Sequence, residues 1–449
     1  MQTIHAGQAL LADGWAKDVT LAIDAGRIVS ATENSVPGAG DARHAVIVPA
    51  VANLHSHAFQ RGMAGLAETR GPGADSFWSW RTVMYRFALI MTPEQMQAIA
   101  AQLYVEMLEA GFCRVGEFHY LHHDRDGGRY GDIAEMAGRI AAAASDTGIG
   151  LTLLPVFYAH SGFGGGAPNE GQRRFINDLD GFARLLQGCQ ALEKNLPGMR
   201  TGIAPHSLRA VTPEELAELQ RLHFDGPVHI HVAEQTQEVD DCIAWSGARP
   251  VEWLLDHAPV DKRWCLIHAT HMTDDETARM AQSGAIAGLC PVTEANLGDG
   301  NFPATVFLEN GGRFGVGSDS NVLIGLPDEL RQLEYSQRLS TRARNVVADA
   351  GGSTARKLFD GARLGGAAAL GSETGFAAGR PADFVSLRPR HDIGLEGDSF
   401  LDSWMFANGA RVDSVWVAGE KVVSDGRHRR STQIGARFQA VMRELLAAF

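Results

Sequence analysis

The 449-residue sequence has few cysteines, no long hydrophobic run and no block of basic residues. Its five cysteines are scattered and form no Cys-x-x-Cys pair, which favours reduced thiols in a cytoplasm over a disulfide framework. No apolar run approaches the roughly 18 to 20 residues that span a membrane, and the N-terminus lacks a signal-type segment. A formal net charge of −13 argues against a nucleic-acid partner. We therefore expect a cytoplasmic protein that binds neither membranes nor nucleic acid.

The two ends of the chain have a residue pattern typical of short strands. Residues 1–47 and 375–430 carry alternating apolar positions separated by turns, including a hairpin expected to close on Gly419 and Glu420. We predict that these two segments form one small β-sandwich domain. The last residues, 431–449, repeat apolar positions at helical spacing behind Ser431 and Thr432, a predicted N-cap, and indicate a docked terminal helix.

The middle of the chain, residues 48–374, alternates strand and helix. Three helix starts are marked by a threonine cap followed by acidic residues, at Thr92, Thr212 and Thr273. Eight strand–helix units in this length predict an α/β protein with a (β/α)8 TIM-type barrel, and a doubly wound sheet is the alternative. The predicted strands are Ala52–His57, Arg114–His119, Gly150–Phe157, Arg200–His206, Val228–Ala233, Trp264–Ala269, Ala285–Cys290 and Arg313–Asp319.

Polar side chains stand at the carboxyl ends of several of these strands, where a barrel of this kind places its active site. A single His-x-His occurs often by accident, but side chains two apart in a strand project to the same face, so His55 and His57 would point at one spot. The other residues of this type are Glu117, His119, His206, His229, His231, Glu234, His268 and Asp319. Their recurrence at the ends of most of the eight predicted strands predicts a shared site.

A mononuclear metal centre is the simplest chemistry for this set. We predict His55, His57, His231 and Asp319 as ligands, most readily of Zn²⁺, although Fe²⁺ or Mn²⁺ accept the same groups. A metal held there would activate water as a nucleophile.

Two further residues would handle protons and charge beside the metal. Glu234 would transfer protons, and His268 would orient the water or stabilise developing charge. His229 points to the opposite face from His231 and is predicted to be a core residue. Glu117 and His119 remain open as supporting residues.

This combination of a His-x-His, a later His-x-x-Glu, a further His and a Ser-Asp resembles the amidohydrolase superfamily, in particular its mononuclear deaminase branch. The segment from Gly379 to Val385 is similar to that superfamily's return into its β domain. Binuclear members place a carbamylated lysine at the end of strand 4, and this sequence has none there. The resemblance therefore implies one metal ion, and it also implies a homodimer.

The segments expected to line the pocket resemble those of a deiminase in that branch that acts on a linear amidine. They include a long loop, residues 58–91, expected to cover the mouth. By this resemblance the substrate-binding residues would be Gln60, Arg81, Tyr120, His206 and Arg209. Two arginines suit a small dicarboxylate, since guanidinium groups bind carboxylates through paired donors. As alternatives to carboxylate binding, Arg81 would stack on aromatic rings and Arg209 would form an ion pair with a neighbouring helix start.

Two other functions stay open. One is an aminohydrolase that acts on a purine, a nucleoside or another aromatic ring, which needs stacking and amide contacts in place of two arginines. The other is a catalytically silent scaffold of the same superfamily, which would have lost metal ligands that this sequence keeps.

Overall fold

The computed structural model describes residues 1–71, 73 and 76–449. Its strands are β1 (Gln2–Leu11), β2 (Gly14–Asp24), β3 (Arg27–Thr32), β4 (Ala42–Pro49), β5 (Val51–Ser56), β6 (Phe112–His119), β7 (Gly150–Phe157), β8 (Arg200–Thr201), β9 (Ala204–Pro205), β10 (Val228–Val232), β11 (Trp264–His268), β12 (Ile286–Leu289), β13 (Arg313–Val316), β14 (Phe384–Pro389), β15 (Ala410–Val417), β16 (Glu420–Ser424) and β17 (Arg427–His428). Its α-helices are α1 (Phe77–Ile90), α2 (Pro93–Glu109), α3 (Glu135–Thr147), α4 (Leu179–Leu192), α5 (Pro213–Leu219), α6 (Thr236–Ser246), α7 (Pro250–His257), α8 (Asp274–Ser283), α9 (Pro291–Leu297), α10 (Ala304–Glu309), α11 (Leu326–Thr341), α12 (Thr354–Ala369), α13 (Asp398–Ala407) and α14 (Ser431–Ala448). Short 3-10 helices span Ala58–Met63 and Glu170–Gln172.

Strands from both ends of the chain form one eight-stranded sheet, in the order β17-β16-β15-β14-β4-β1-β2-β3. The two ends meet where β14 pairs antiparallel with β4, with Val385 opposite Val48. Apolar side chains of this sheet, among them Leu21, Phe384 and Trp416, form their own core cluster. The sheet therefore buries a separate apolar surface from the one that surrounds the central strands.

The central strands run parallel in two sheets, one containing β5 to β9 and the other β10 to β13. Isolated parallel bridges connect the two sheets on both sides, joining Ile203 to Val228, Ser207 to His231, and Ser56 to Asp319. Each of the eight predicted strands overlaps an observed one, but the fourth is divided into β8 and β9. At that break Gly202 packs so closely that a Cβ would lie 2.3 Å from the carbonyl oxygen of Pro227.

Three helix starts follow the predicted caps. The side chains of Thr92, Thr212 and Thr273 accept hydrogen bonds from the third residue of α2, α5 and α8. The predicted cap of the terminal helix is wrong, because α14 begins at Ser431 itself with Arg430 as its N-cap residue. The hydroxyl of Ser431 instead accepts a hydrogen bond from Arg427 at 2.8 Å.

The segment predicted as a covering loop contains helices on either side of the undescribed positions 72, 74 and 75. Its first part is the 3-10 helix Ala58–Met63 and its last part is α1. The long connection predicted after the first parallel strand is therefore helical over most of its length. The apolar side chains of Met84, Phe87 and Ala88 are buried, and they fix α1 against the body of the protein.

The five cysteines are free and buried, as expected for reduced thiols. Among the described helices, we find none that is both long and apolar enough to cross a membrane.

Candidate active site

Four side chains converge at the carboxyl ends of the parallel strands. His55 lies in β5, His57 directly follows it, His231 lies in β10 and Asp319 follows β13, and one ligand atom from each lies within 4.8 Å of the others. Asp319 Oδ1 is 3.1 Å from His57 Nε2 and 3.3 Å from His55 Nε2. The Nε2 atoms of His55 and His231 are 3.0 Å apart. Three imidazoles and one carboxylate at this spacing fit a divalent metal ion such as zinc.

Backbone carbonyls fix two of the imidazole rings. His57 Nδ1 donates to the carbonyl oxygen of Phe118 at 2.9 Å, and His231 Nδ1 donates to that of His206 at 3.0 Å. The Nε2 lone pairs of both rings therefore face the centre, as metal ligation requires. Burial also lowers the pKa of His55 to about 3, so that this imidazole is neutral near pH 7.

His268 stands beside this centre among three carboxylates. Its Nε2 lies 3.8 Å from Glu234 Oε1 and 3.9 Å from Asp319 Oδ2, and its Nδ1 lies 3.2 Å from Glu294 Oε1. Burial opposes the charged form, but these carboxylates raise the pKa of His268 to about 10. The three carboxylates therefore favour the charged form of His268.

The chain turns sharply where these strands end. Ala233, His268 and Asp319 all have left-handed backbone conformations, with φ of 52°, 66° and 44°. Such conformations are uncommon for residues other than glycine and are held only by surrounding structure. The backbone N–H of Asp319 donates to the carbonyl oxygen of His55 at 3.0 Å, and that of Glu234 donates to Glu238 Oε2 at 3.1 Å. These bonds hold the turns that aim the polar side chains inward.

A cavity opens above the four predicted ligands, with about 530 Å³ of empty space when its open mouth is included. All five predicted substrate-binding residues line it, together with Glu234, His268 and Asp319; these five are Gln60, Arg81, Tyr120, His206 and Arg209. The other lining residues are His57, Phe77, Trp80, Met84, Tyr85, Tyr158, Phe175, His231 and Leu297. The structure thus brings every predicted site residue but His55 to one cavity, and His55 lies in contact with the other three predicted ligands.

Both arginines make the alternative contacts as well as facing the cavity. The Arg81 guanidinium lies over the rings of Trp78 and Tyr85, at 5.5 Å and 4.9 Å from their centroids. The Nε atom of Arg209 lies 4.0 Å from Oε1 of Glu238, in the first turn of α6. Neither contact withdraws the guanidinium from the cavity.

Three neutral groups complete the polar wall. Gln60 Nε2 donates to the Tyr120 hydroxyl at 2.9 Å, and Gln60 Oε1 has no partner among the described residues. Burial, with Arg209 adding to it, lowers the pKa of His206 well below its ordinary value. His206 is therefore an uncharged group near pH 7.

Three further residues lie outside the group of four ligands: Glu117 and His119, whose roles the sequence left open, and His229, which was predicted to be a core residue. Glu117 accepts the backbone N–H of Ala58 at 2.6 Å and the Tyr104 hydroxyl at 3.1 Å, so it supports the turn after His57. The ring of buried His119 packs against that of His122. His229 Nε2 donates to the carbonyl oxygen of Ala369 at 2.8 Å, away from the centre.

Several residues of the site were not singled out from the sequence. Tyr158 directly follows β7 and so carries the same strand-end signal as the others. Tyr85 lies within the long segment 58–91, and Glu294 lies shortly after the predicted strand Ala285–Cys290, but nothing in the sequence distinguishes them from their neighbours. No sequence signal points to Phe175, which follows a 3-10 helix and lines the cavity.

Parallel α/β sheets with a three-histidine, one-aspartate centre at their carboxyl edge define the class of protein, a metal-dependent hydrolase. The chain belongs to the amidohydrolase family, whose model matches residues 46–422. A second model, described as "Formimidoylglutamate deiminase HutF, N-terminal domain", matches residues 1–45.

Individual relatives agree with this assignment. A formimidoylglutamate deiminase of Pseudomonas aeruginosa is 51% identical over 453 residues, covering 99% of this chain and 100% of its own length. This is the linear-amidine deiminase that the pocket segments resemble, so that prediction is confirmed. A crystal structure of an amidohydrolase from Brucella melitensis is 63% identical with a TM-score of 0.97, covering 99% of this chain and 100% of its own. An adenosine deaminase from Xanthomonas campestris with bound zinc, 20% identical over 99% of this chain and 98% of its own, shares the fold with a TM-score of 0.81.

Proposed function

We propose that the protein catalyses the hydrolytic deamination of N-formimino-L-glutamate to N-formyl-L-glutamate and ammonia, a step of histidine degradation. The observation that carries this proposal is the pair Arg81 and Arg209 in one cavity above the four ligand atoms. The identity of 51% to the Pseudomonas aeruginosa deiminase supports the same substrate.

The metal ion is proposed to be Zn²⁺, held by His55, His57, His231 and Asp319, and Fe²⁺ or Mn²⁺ would accept the same ligands. When bound, the ion supplies activation of water for attack near neutral pH. The zinc present in the fold relative from Xanthomonas campestris supports this choice.

The two carboxylates of the substrate are proposed to bind Arg81 and Arg209. Each guanidinium offers several N–H donors in a fixed plane, which matches the two oxygens of a carboxylate. Gln60, Tyr120 and His206 would hold the rest of the molecule, and the cationic formamidine would face Glu234 and Asp319. This arrangement places the formimino carbon beside the water that is to attack it.

Glu234, His268 and Asp319 are proposed as the catalytic residues. Water adds to the formimino carbon, Glu234 takes up the proton that the water loses, and the same proton is delivered to the terminal nitrogen. The bond between carbon and that nitrogen then breaks, the hydroxyl proton left on the new oxygen passes to Asp319, and the formyl product forms. Ammonia leaves and takes up this last proton as ammonium. The positive charge of His268 stabilises negative charge that develops at the carbon's new oxygen.

The architecture is also part of the proposal. We infer that β5 to β13 close into a (β/α)8 barrel over residues 48–374, supported by the parallel bridges on both sides. The composite sheet of residues 1–47 and 375–430 would form the small β-sandwich domain, with residues 431–449 as a docked helix. A cytoplasmic homodimer is proposed from the resemblance and from the five free cysteines, and light scattering tests its mass.

One experiment separates the candidate functions. Purified protein is offered N-formimino-L-glutamate, guanine and a nucleoside side by side, and ammonia release and bound metal are measured. We expect release from the first substrate alone. Release from a ring substrate would favour the aromatic aminohydrolase, and no metal with no release would leave only the silent scaffold.

A further inference from the structure

A series of hydrogen bonds connects the 3-10 helix Glu170–Gln172 to Arg81 through the hydroxyl of Tyr158. Gln172 is fully buried, and its Oε1 accepts the backbone N–H of Asn169 at 2.9 Å. Because a backbone N–H is only a donor, this bond identifies the oxygen end of the amide and leaves Nε2 at the other end. Gln172 Nε2 donates to the Tyr158 hydroxyl at 2.8 Å. That hydroxyl also accepts from Arg81 Nη2 at 3.1 Å.

These donors fill the acceptor positions of the Tyr158 hydroxyl. A tyrosine oxygen has two lone pairs and one proton, and both lone pairs of Tyr158 are taken by Gln172 and Arg81. The Tyr158 oxygen therefore helps to hold the Arg81 guanidinium in place. Tyr85 already accepts from Arg81 Nε at 2.7 Å. As the acceptor in that bond, Tyr85 keeps its own O–H proton to give, and its side chain lines the cavity.

The packing around Tyr85 keeps this hydroxyl in place. A Cβ on Gly171 would lie 2.8 Å from Cδ2 of Tyr85, so glycine is what lets the ring lie against the 3-10 helix. The ring of Phe175 packs on the other side, with 5.7 Å between the centroids. Burial raises the pKa of Tyr85, so the phenol keeps its proton at neutral pH.

We infer that Tyr85 is a further substrate-binding residue, whose hydroxyl donates a hydrogen bond to the carboxylate held by Arg81. Tyr158 and Gln172 are positioning residues that hold the Arg81 guanidinium beside this donor. The inference rests on the proposed function, since it names a further contact for the same dicarboxylate. A fixed O–H beside a guanidinium selects a carboxylate, which only accepts hydrogen bonds, over a group that offers an N–H.

The test measures binding of glutarate, a simple dicarboxylate, to the metal-loaded enzyme by calorimetry. We expect Tyr85→Phe and Tyr158→Phe to weaken glutarate binding by about 10- to 100-fold, as for loss of a hydrogen bond to a charged group. KM for N-formimino-L-glutamate should rise by a similar factor with little change in kcat. The matched control is Tyr130→Phe, whose hydroxyl also accepts from an arginine, Arg174 at 3.5 Å, outside the cavity.

A second variant separates direct contact from an effect through Arg81. Arg81→Lys keeps the charge but lacks the Nε–H that binds Tyr85. If Tyr85 touches the carboxylate, Tyr85→Phe still weakens glutarate binding in the Arg81→Lys enzyme. No added effect in that background, unchanged affinity in Tyr85→Phe, or no glutarate binding by the wild type would overturn the inference. Tyr85-dependent glutarate binding without ammonia release from N-formimino-L-glutamate would overturn the proposed function alone.

Discussion

At the scale of single residues, Glu234 lies among groups that shift its pKa in opposite directions. Burial raises its pKa, Asp319 raises it further, and His268 and Arg209 lower it. Its backbone N–H is held by Glu238, directly after the left-handed Ala233. A carboxylate whose pKa is raised toward the working pH is suited to both take up and return a proton.

Replacing Glu234 by glutamine should separate chemistry from metal binding. Glu234 is outside the ligand set, so Glu234→Gln should keep its metal while kcat falls by about 100- to 10,000-fold, the range for loss of a general acid–base group. Ammonia release and metal analysis on the same preparation measure the two effects. Loss of metal together with activity would contradict the assigned role.

The pH dependence tests the charges around Glu234. Glu234 must be ionised to act as a base, so its raised pKa places the acid limb of kcat/KM at higher pH than for an exposed glutamate. Since Arg209 lowers this pKa, Arg209→Ala should move the limb to still higher pH. Arg81→Ala is the control, because that guanidinium is bound by Tyr85 and Tyr158 instead. A limb that stays in place in Arg209→Ala would be evidence against Glu234 as the titrating base.

The two arginines should be indispensable for the dicarboxylate. Arg81→Ala or Arg209→Ala removes a charged donor pair, and we expect kcat/KM for N-formimino-L-glutamate to fall by about 100-fold or more in each variant. Steady-state ammonia release measures this. Turnover comparable to the wild type would remove the argument for carboxylate binding.

At the scale of elements, a polar network joins the first and last parallel strands. Asn53 Nδ2 donates to Ser318 Oγ at 2.6 Å, and Ser318 Oγ donates to Asn321 Oδ1 at 2.6 Å. Asn321 Nδ2 in turn donates to the carbonyl oxygens of His57 and Asp319, at 3.0 Å and 2.9 Å. One buried amide therefore holds the backbone of two metal ligands from opposite ends of the strand order.

Removing this amide should weaken both the fold and the centre. Asn321→Ala leaves buried carbonyl groups without donors, at a cost of about 1 to 3 kcal/mol in the free energy of unfolding. Metal affinity should drop by about 10- to 100-fold, as for other groups that orient ligands. Denaturant unfolding and a competitive zinc titration measure the two effects. Asn310→Ala, at an exposed asparagine that bonds to Val306, is the control and should change neither.

The sequence predicts the elements that carry strong local signals. Strand ends follow from apolar runs that stop at polar residues, and helix starts follow from threonine caps, so most bounds agree with the structure. The division of the fourth strand at Gly202 could not be predicted, because it depends on close approach to Pro227, which is distant in the chain. Glu238 and Glu294 were missed for the same reason, since their partners Arg209 and His268 are distant in the chain.

At the scale of the whole molecule, the metal centre depends on the joining of separate sheets. His55 and His57 come from the sheet that contains β5, and His231 comes from the sheet that contains β10. Asp319 pairs with Ser56 where the two sheets meet. The ligands are far apart in the unfolded chain, so metal binds mainly to the folded state and must stabilise it.

Metal removal should therefore lower the thermal stability of the entire protein. With free zinc at about 1,000 times its Kd, mass action contributes about 4 kcal/mol to the free energy of unfolding, and chelation should remove this contribution and lower Tm. Thermal unfolding with and without a chelator, followed by zinc titration, measures the shift. Asp319→Asn should show a Tm that no longer rises with zinc, because the charged ligand at the junction of the two sheets is gone. A zinc-dependent rise of wild-type size in this variant would show that the ion binds elsewhere.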